Sequence, residues 1–107
     1  LAEAGARIAV ADLDQEAAAK IADDVDGAPV FIDVTDPESV AAAVAETEER
    51  LGSIDICVNC AGWERATPFL ETDEDFTQKV LEINLAGPIR VTREVLGAMS
   101  DRVGGGL

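Results

Sequence analysis

The 107-residue chain is long enough for one small domain, and its 48% apolar and 28% charged residues mark a folded rather than a disordered polypeptide. Eight Lys plus Arg against 22 Asp plus Glu give a formal charge of −14, which argues against nucleic acid and anionic membrane surfaces as partners. Histidine is absent, which removes a Ser-His-Asp triad, a Cys-His pair and every His-ligated metal site, and two cysteines are too few for a disulfide scaffold and fit a reducing cytoplasm.

In chain order, Leu1 to Ala4 are helix formers, and Gly5 stands where a left-handed cap would close a helix. Ile8 to Ala11 is a short apolar run ending at Asp12, as in a strand buried on both faces. Asp14 is placed to cap a helix whose inward stripe is Ala18, Ile21, Ala22 and Val25. Pro29 to Ile32 reads as a second strand, closed by Asp33-Val34. Asp36-Pro37 is a helix-start signature, with Val40, Ala43, Val44 and Leu51 as the stripe and Gly52 as the stop. Ile54 to Val58 predicts a third strand, with Asn59-Cys60-Ala61-Gly62 as the turn after it. A polar loop over 63–70 precedes a helix capped by Thr72 or Asp73 and carrying Phe76, Val80 and Ile83, and Pro88 lies near its junction with a last helix ending around Met99. There is no basic-then-apolar leader and no apolar run near the ~18 residues of a membrane span.

Strands separated by helices, without hairpin-length turns, predict parallel βαβ units and an α/β fold. Each predicted strand ends on a polar side chain: Asp12, Asp33 and Asn59. Ligands of open parallel sheets bind outside the carboxyl ends of the strands, so these three residues form a coherent candidate site.

The strings Val10-Ala11-Asp12-Leu13-Asp14, Asp33-Val34-Thr35-Asp36, Asn59-Cys60-Ala61-Gly62 and Asn84-Leu85-Ala86-Gly87 resemble, in order and spacing, the short-chain dehydrogenase/reductase family over essentially the whole chain. The resemblance implies a Rossmann-like doubly wound parallel sheet, here incomplete, with the first strand and the C-terminal half missing; residues 1–107 form a partial NAD-binding domain. It implies that Asp12 accepts hydrogen bonds from the adenosine ribose hydroxyls. A 2′-phosphate would meet like charge there, and Leu13 supplies no Arg to accommodate it, so NAD is expected rather than NADP. Asp33 and Val34 resemble the adenine-binding pair, although a plain strand-ending turn explains that spacing as well. Ala61 and Gly62 let the backbone approach the cofactor, and Asn59 braces the neighbouring strand; Cys60 stands where the family has a second Asn.

Asn84 resembles the catalytic-tetrad asparagine, whose main-chain carbonyl holds a water in the proton relay. In a continuous helix that carbonyl would accept from residue 88, and Pro88 has no amide hydrogen. Pro88 in the first turn of a new helix is the plainer reading, and both can hold.

Other features are read without function. Cys57 and Cys60 spell Cys-x-x-Cys, but an odd offset along a strand turns the sulfurs to opposite faces and no further ligands complete a metal site. Gly104 to Gly106 imitates a phosphate loop but follows no strand. Glu46, Glu48 and Glu49 form a solvated helix face, and Trp63 and Phe69 either line a substrate mouth or pack within their loop.

Both chain ends look cut, and the family's glycine-rich turn, its catalytic Ser and its Tyr-x-x-x-Lys pair are not in this chain, which has no Tyr at all. The expectation is a central piece of an NAD-dependent dehydrogenase or ketoreductase acting on a secondary alcohol or ketone, cytoplasmic, inactive in isolation and homo-oligomeric in its parent. Cys60 to Glu64 with Pro68-Phe69 is similar to members acting on cyclic hydroxyacyl-CoA thioesters. The alternatives are a 3-oxoacyl-carrier-protein reductase and a non-catalytic nucleotide-binding or interaction module. Without the family's first strand, the edges of the strands ending at Asp12 and Asn59 face each other across a gap of ~9–10 Å. That leaves direct pairing, a strand borrowed from another copy, or a loose fold.

Overall fold

The computed structural model describes residues 1–60, 62–63 and 65–102. Ala61 and the Gly104–Gly106 run lie outside these residues. The apolar runs after Gly5 and Gly27 form strands β1 (Ala9–Asp12) and β2 (Ala28–Phe31), paired in parallel with Ala9 opposite Ala28 and Asp12 opposite Phe31. Pro29 offers no amide to a ladder and sits in a strand paired, among the described residues, on one side only, with its carbonyl accepting from Arg50 Nη1 at 2.7 Å.

Helix α1 (Gln15–Val25) starts where Asp14 Oδ1 accepts the Glu16 and Ala17 amides, both at 3.1 Å. It buries Ala18 and Ala22 against the strands, whereas Ile21, expected on the same stripe, is 50% exposed. Gly27 follows because a Cβ there would lie 2.5 Å from the Ile8 carbonyl oxygen. Helix α2 (Pro37–Leu51) is capped by Asp36 Oδ1 on the Glu38 amide and stops at Gly52, whose φ is 90°. Its buried face, Val40 and Ala43, meets Val30 and Ile32 in the core, with Ala9, Val34 and Val91 packed around them.

Helix α3 (Glu74–Leu81) is capped by Asp73, which accepts the Phe76 amide at 2.8 Å. It runs through a π turn (Glu82–Ala86) into α4 (Gly87–Arg102), which packs on α2. The sequence pointed to a broken ladder at Pro88. The chain resolves it by widening one turn, with the Gly87 amide donating to the Glu82 carbonyl five residues back.

The expected third strand does not form: among the described residues the sheet has two strands, and 54–58 lies outside it. The reason is geometric. Ile8, Ala9 and Ala11 line a groove of about 500 Å³ together with Ile54, Ile56 and Val58. Residues 54–58 thus border this groove outside the β1–β2 ladder, and a strand exists only where a neighbour meets it at the ~4.8 Å ladder spacing.

Candidate functional site

The carboxyl edge of the sheet carries the site. Ile32 N–H donates to the Asp12 carbonyl at 3.2 Å, so Asp12 and Asp33 leave the sheet at the same end, on adjacent strands. Asp12 is half-buried, and its Oδ1 accepts the Asp14 amide at 3.0 Å. That bond orients the carboxylate and leaves Oδ2 without a partner among the described residues. Leu13, directly after it, is largely exposed.

Asp33 Oδ1 accepts from the Thr35 hydroxyl at 2.6 Å and the Thr35 amide at 3.0 Å. These two donors, the hydroxyl first, hold its carboxyl below the usual carboxylate range, against a small opposing effect of burial. The Asp33 amide in turn donates to Ser39 Oγ at 2.8 Å, which ties the turn to the start of α2. Asp12 and Asp33 are thus two half-buried carboxylates at one sheet edge, each with one oxygen still open to a donor among the described residues.

Val34 makes the turn's contact with α4. The Gly87 backbone comes so close that a Cβ there would sit 2.8 Å from Val34 Cγ2. Arg90 Nη1 donates to the Val34 carbonyl at 3.1 Å while its Nη2 pairs with Glu82 Oε2 at 2.9 Å. No local pattern announces Arg90; its partner lies 56 residues earlier.

The segment after 54–58 is fastened from the same helices. Asn59 was expected to brace a neighbouring strand; instead its Nδ2 donates to Thr92 Oγ1 on α4 at 3.2 Å. Asn84, on the π turn, grips the loop: its Oδ1 accepts the Trp63 amide at 2.7 Å and its Nδ2 donates to the Trp63 carbonyl at 2.6 Å. Gly62 fits beneath it, where a Cβ would lie 3.2 Å from Asn84 Oδ1. Trp63 then packs on Phe76 at 5.6 Å between ring centroids, with Lys79 Nζ 4.0 Å above the indole, whereas Phe69 is 85% exposed and takes no part.

Cys57 and Cys60 are both free thiols, and burial pushes the Cys57 thiol up. Among the described residues no group of three His, Cys, Asp or Glu side chains is placed to hold a metal ion, and no helix is long and apolar enough to cross a membrane.

A family model described as enoyl-(acyl carrier protein) reductase matches residues 1–107. The chain is 37% identical to a sorbitol dehydrogenase of Cereibacter sphaeroides over 97 residues, covering 89% of this chain and 38% of that protein. It is 39% identical to the Escherichia coli oxidoreductase UcpA over 106 residues, covering 94% of this chain and 40% of the relative. A gluconate 5-dehydrogenase from Burkholderia cenocepacia, solved in complex with NADP and tartrate, superposes with a TM-score of 0.84 at 36% identity, covering 95% of this chain and 42% of that one. The chain therefore spans about two fifths of the length of these relatives.

Proposed function

The chain belongs to the short-chain dehydrogenase/reductase family, an oxidoreductase family, and from that premise we propose that it forms the adenosine-binding and relay-bearing part of an NAD-dependent dehydrogenase or ketoreductase. The observation that carries the reading is the shared sheet edge of Asp12 and Asp33, with Asn84 fastened to the loop that follows Asn59. Asp12 would accept from the ribose hydroxyls and repel a 2′-phosphate, with Leu13 offering no cation to offset that repulsion. Asp33 would accept from the adenine amino group, with Val34 against the ring edge. Asn59, Ala61 and Gly62 would let the main chain approach the nicotinamide half. The dinucleotide supplies hydride transfer when bound. Asn84 has its side-chain amide engaged with Trp63, which leaves its main-chain carbonyl as the group for a water in the proton relay.

The reading extends to a secondary alcohol or ketone as substrate. The sorbitol and gluconate dehydrogenases among the relatives favour a small polyhydroxylated one. The description of the matching family model favours a second reading, an acyl thioester on a carrier protein or coenzyme A. Assembly belongs to the same proposal. Helix α4 turns Val95 inward, while Ile89 and Leu96 flank a shallow outward groove with Pro88, Thr92 and Arg93, an apolar face fitted to a second copy.

The test is made on the whole protein that carries this chain. Dissociation constants for NAD and NADP are measured by calorimetry, and turnover is followed on polyols, sugar acids and 3-oxoacyl thioesters. A preference for NADP in the wild type overturns the assignment of Asp12, and nucleotide binding without turnover of any carbinol or carbonyl favours a non-catalytic nucleotide-binding module.

A further inference from the structure

We infer that Arg90 is a positioning residue for the adenine end of the cofactor site, acting through the Val34 main chain; the inference rests on the cofactor reading above. Arg90 lies on the first turns of α4, and its side chain is mostly covered, with 22% of its surface exposed. It uses two nitrogens at once, Nη1 on the Val34 carbonyl at 3.1 Å and Nη2 on Glu82 Oε2 at 2.9 Å. The guanidinium is thus a planar bridge between the turn after β2 and the π turn that carries Asn84.

The neighbouring contacts show that this junction is built to close tolerance. Gly87 lets the α4 backbone approach Val34 more closely than any side chain would permit. Glu82, which holds the far side of the guanidinium, also takes the Gly87 amide on its main-chain carbonyl. The Asp33 side chain is already oriented by Thr35, and the Asp33 amide by Ser39. Among the described residues Val34 is the member of the pair without a local polar anchor, and Arg90 supplies that anchor from 56 residues away. A lysine reaches one of these partners as a point charge but does not span both. The bridge therefore fixes where Val34 meets the adenine ring.

The experiment uses the whole protein and the variants Arg90→Met, Arg90→Lys, Glu82→Gln and Asp33→Ala. Its readouts are AMP affinity by calorimetry, KM for NAD, and kcat at saturating NAD. Arg90→Met is expected to weaken AMP and raise the KM for NAD on the order of tenfold, the scale of losing a hydrogen bond to a charged donor, with kcat within about twofold of wild type. Arg90→Lys should recover part of the loss, and Glu82→Gln, which keeps the Val34 bond but not the ion pair, should fall between. The lysine and glutamine variants carry the test if the methionine variant does not fold. If Asp33→Ala weakens AMP but Arg90→Met, Arg90→Lys and Glu82→Gln all leave it within about twofold, the role given to Arg90 is wrong while the cofactor reading stands. If Asp33→Ala also leaves AMP binding unchanged, the cofactor reading fails and the inference with it. A parallel fall of kcat and AMP affinity also overturns the inference, because it marks general loosening rather than adenine positioning.

Discussion

The side-chain amide of Asn84 closes a matched pair of hydrogen bonds on the main chain of Trp63, accepting from its N–H at 2.7 Å and donating to its carbonyl at 2.6 Å. A residue 21 positions later in the chain thus sets the path of the loop that leaves the Asn59 turn.

Asn84→Asp keeps the acceptor, removes the donor and places an anion against the Trp63 carbonyl. The site is exposed, so the expected loss of stability is modest, about 1 kcal/mol. Trp63 is the one tryptophan in the chain, so its fluorescence reports the change directly. A red-shifted emission and faster exchange of the Trp63 amide are expected, and an unchanged spectrum counts against the clamp.

Asp12→Ala in the whole protein is expected to weaken NAD by roughly 1–3 kcal/mol and to relax discrimination against NADP. It also removes the acceptor for the Asp14 amide. Dissociation constants for both cofactors check the prediction, and a variant that loses affinity for both equally speaks for a structural role alone.

Thr35→Val removes the hydroxyl that donates to Asp33 at 2.6 Å while leaving the amide bond in place. The Asp33 carboxyl should therefore titrate closer to its ordinary range. Its lowered value in the folded chain means that the unfolded chain binds this proton more readily, so the carboxylate adds stability above the unfolded value and loses it as pH falls through the folded one. Titration of the side-chain carbonyl carbon by NMR, with and without Thr35→Val, reads the upward move; no move assigns the shift to the backbone donor.

The local part of this architecture is legible in the sequence because each device lies within a few residues of what it controls. Asp14, Asp36 and Asp73 cap the helices they precede, and Gly52 ends α2 with a positive φ. The polar strand ends Asp12 and Asp33 likewise follow from the apolar runs before them. What was not legible depends on distant chain. Arg90 meets Val34 across 56 residues and Asn59 meets Thr92 across 33, and no periodicity encodes either pairing. The third strand failed for a related reason. Ile54 to Val58 have the composition of a strand, but strand character is a property of pairing, and they border a groove with β1 residues without joining its ladder. Pro88 marked the break in the helical ladder without revealing that a π turn would absorb it.

Gly87→Ala tests the closeness of α4 to the Val34 turn. Alanine gains about 1 kcal/mol of helix propensity over glycine. That gain is outweighed by forcing a methyl group to 2.8 Å from Val34 Cγ2, a branched side chain with little freedom to move. Net destabilisation of about 1–2 kcal/mol is expected in urea unfolding of the whole protein. A neutral or stabilised variant would show that the junction yields.

The open groove bears on the isolated polypeptide. Residues 1–107 alone are expected to bind NAD negligibly and to be unstable or oligomeric, because one edge of β1 has no ladder partner among the described residues. A monomer by sedimentation with a cooperative thermal transition and micromolar NAD affinity contradicts this.

The π turn between α3 and α4 makes a helical stretch intolerant of any change in length. Each residue advances a helix by about 100°, so deleting one position within 82–86 would turn everything beyond it by that angle. Gly87 would swing away from Val34, Arg90 would lose its carbonyl, and Thr92 would leave Asn59, although none of those residues is itself changed. The widened turn therefore acts as a phase setting. It keeps the faces of two successive helices at the angular offset on which the Val34 and Asn59 contacts depend.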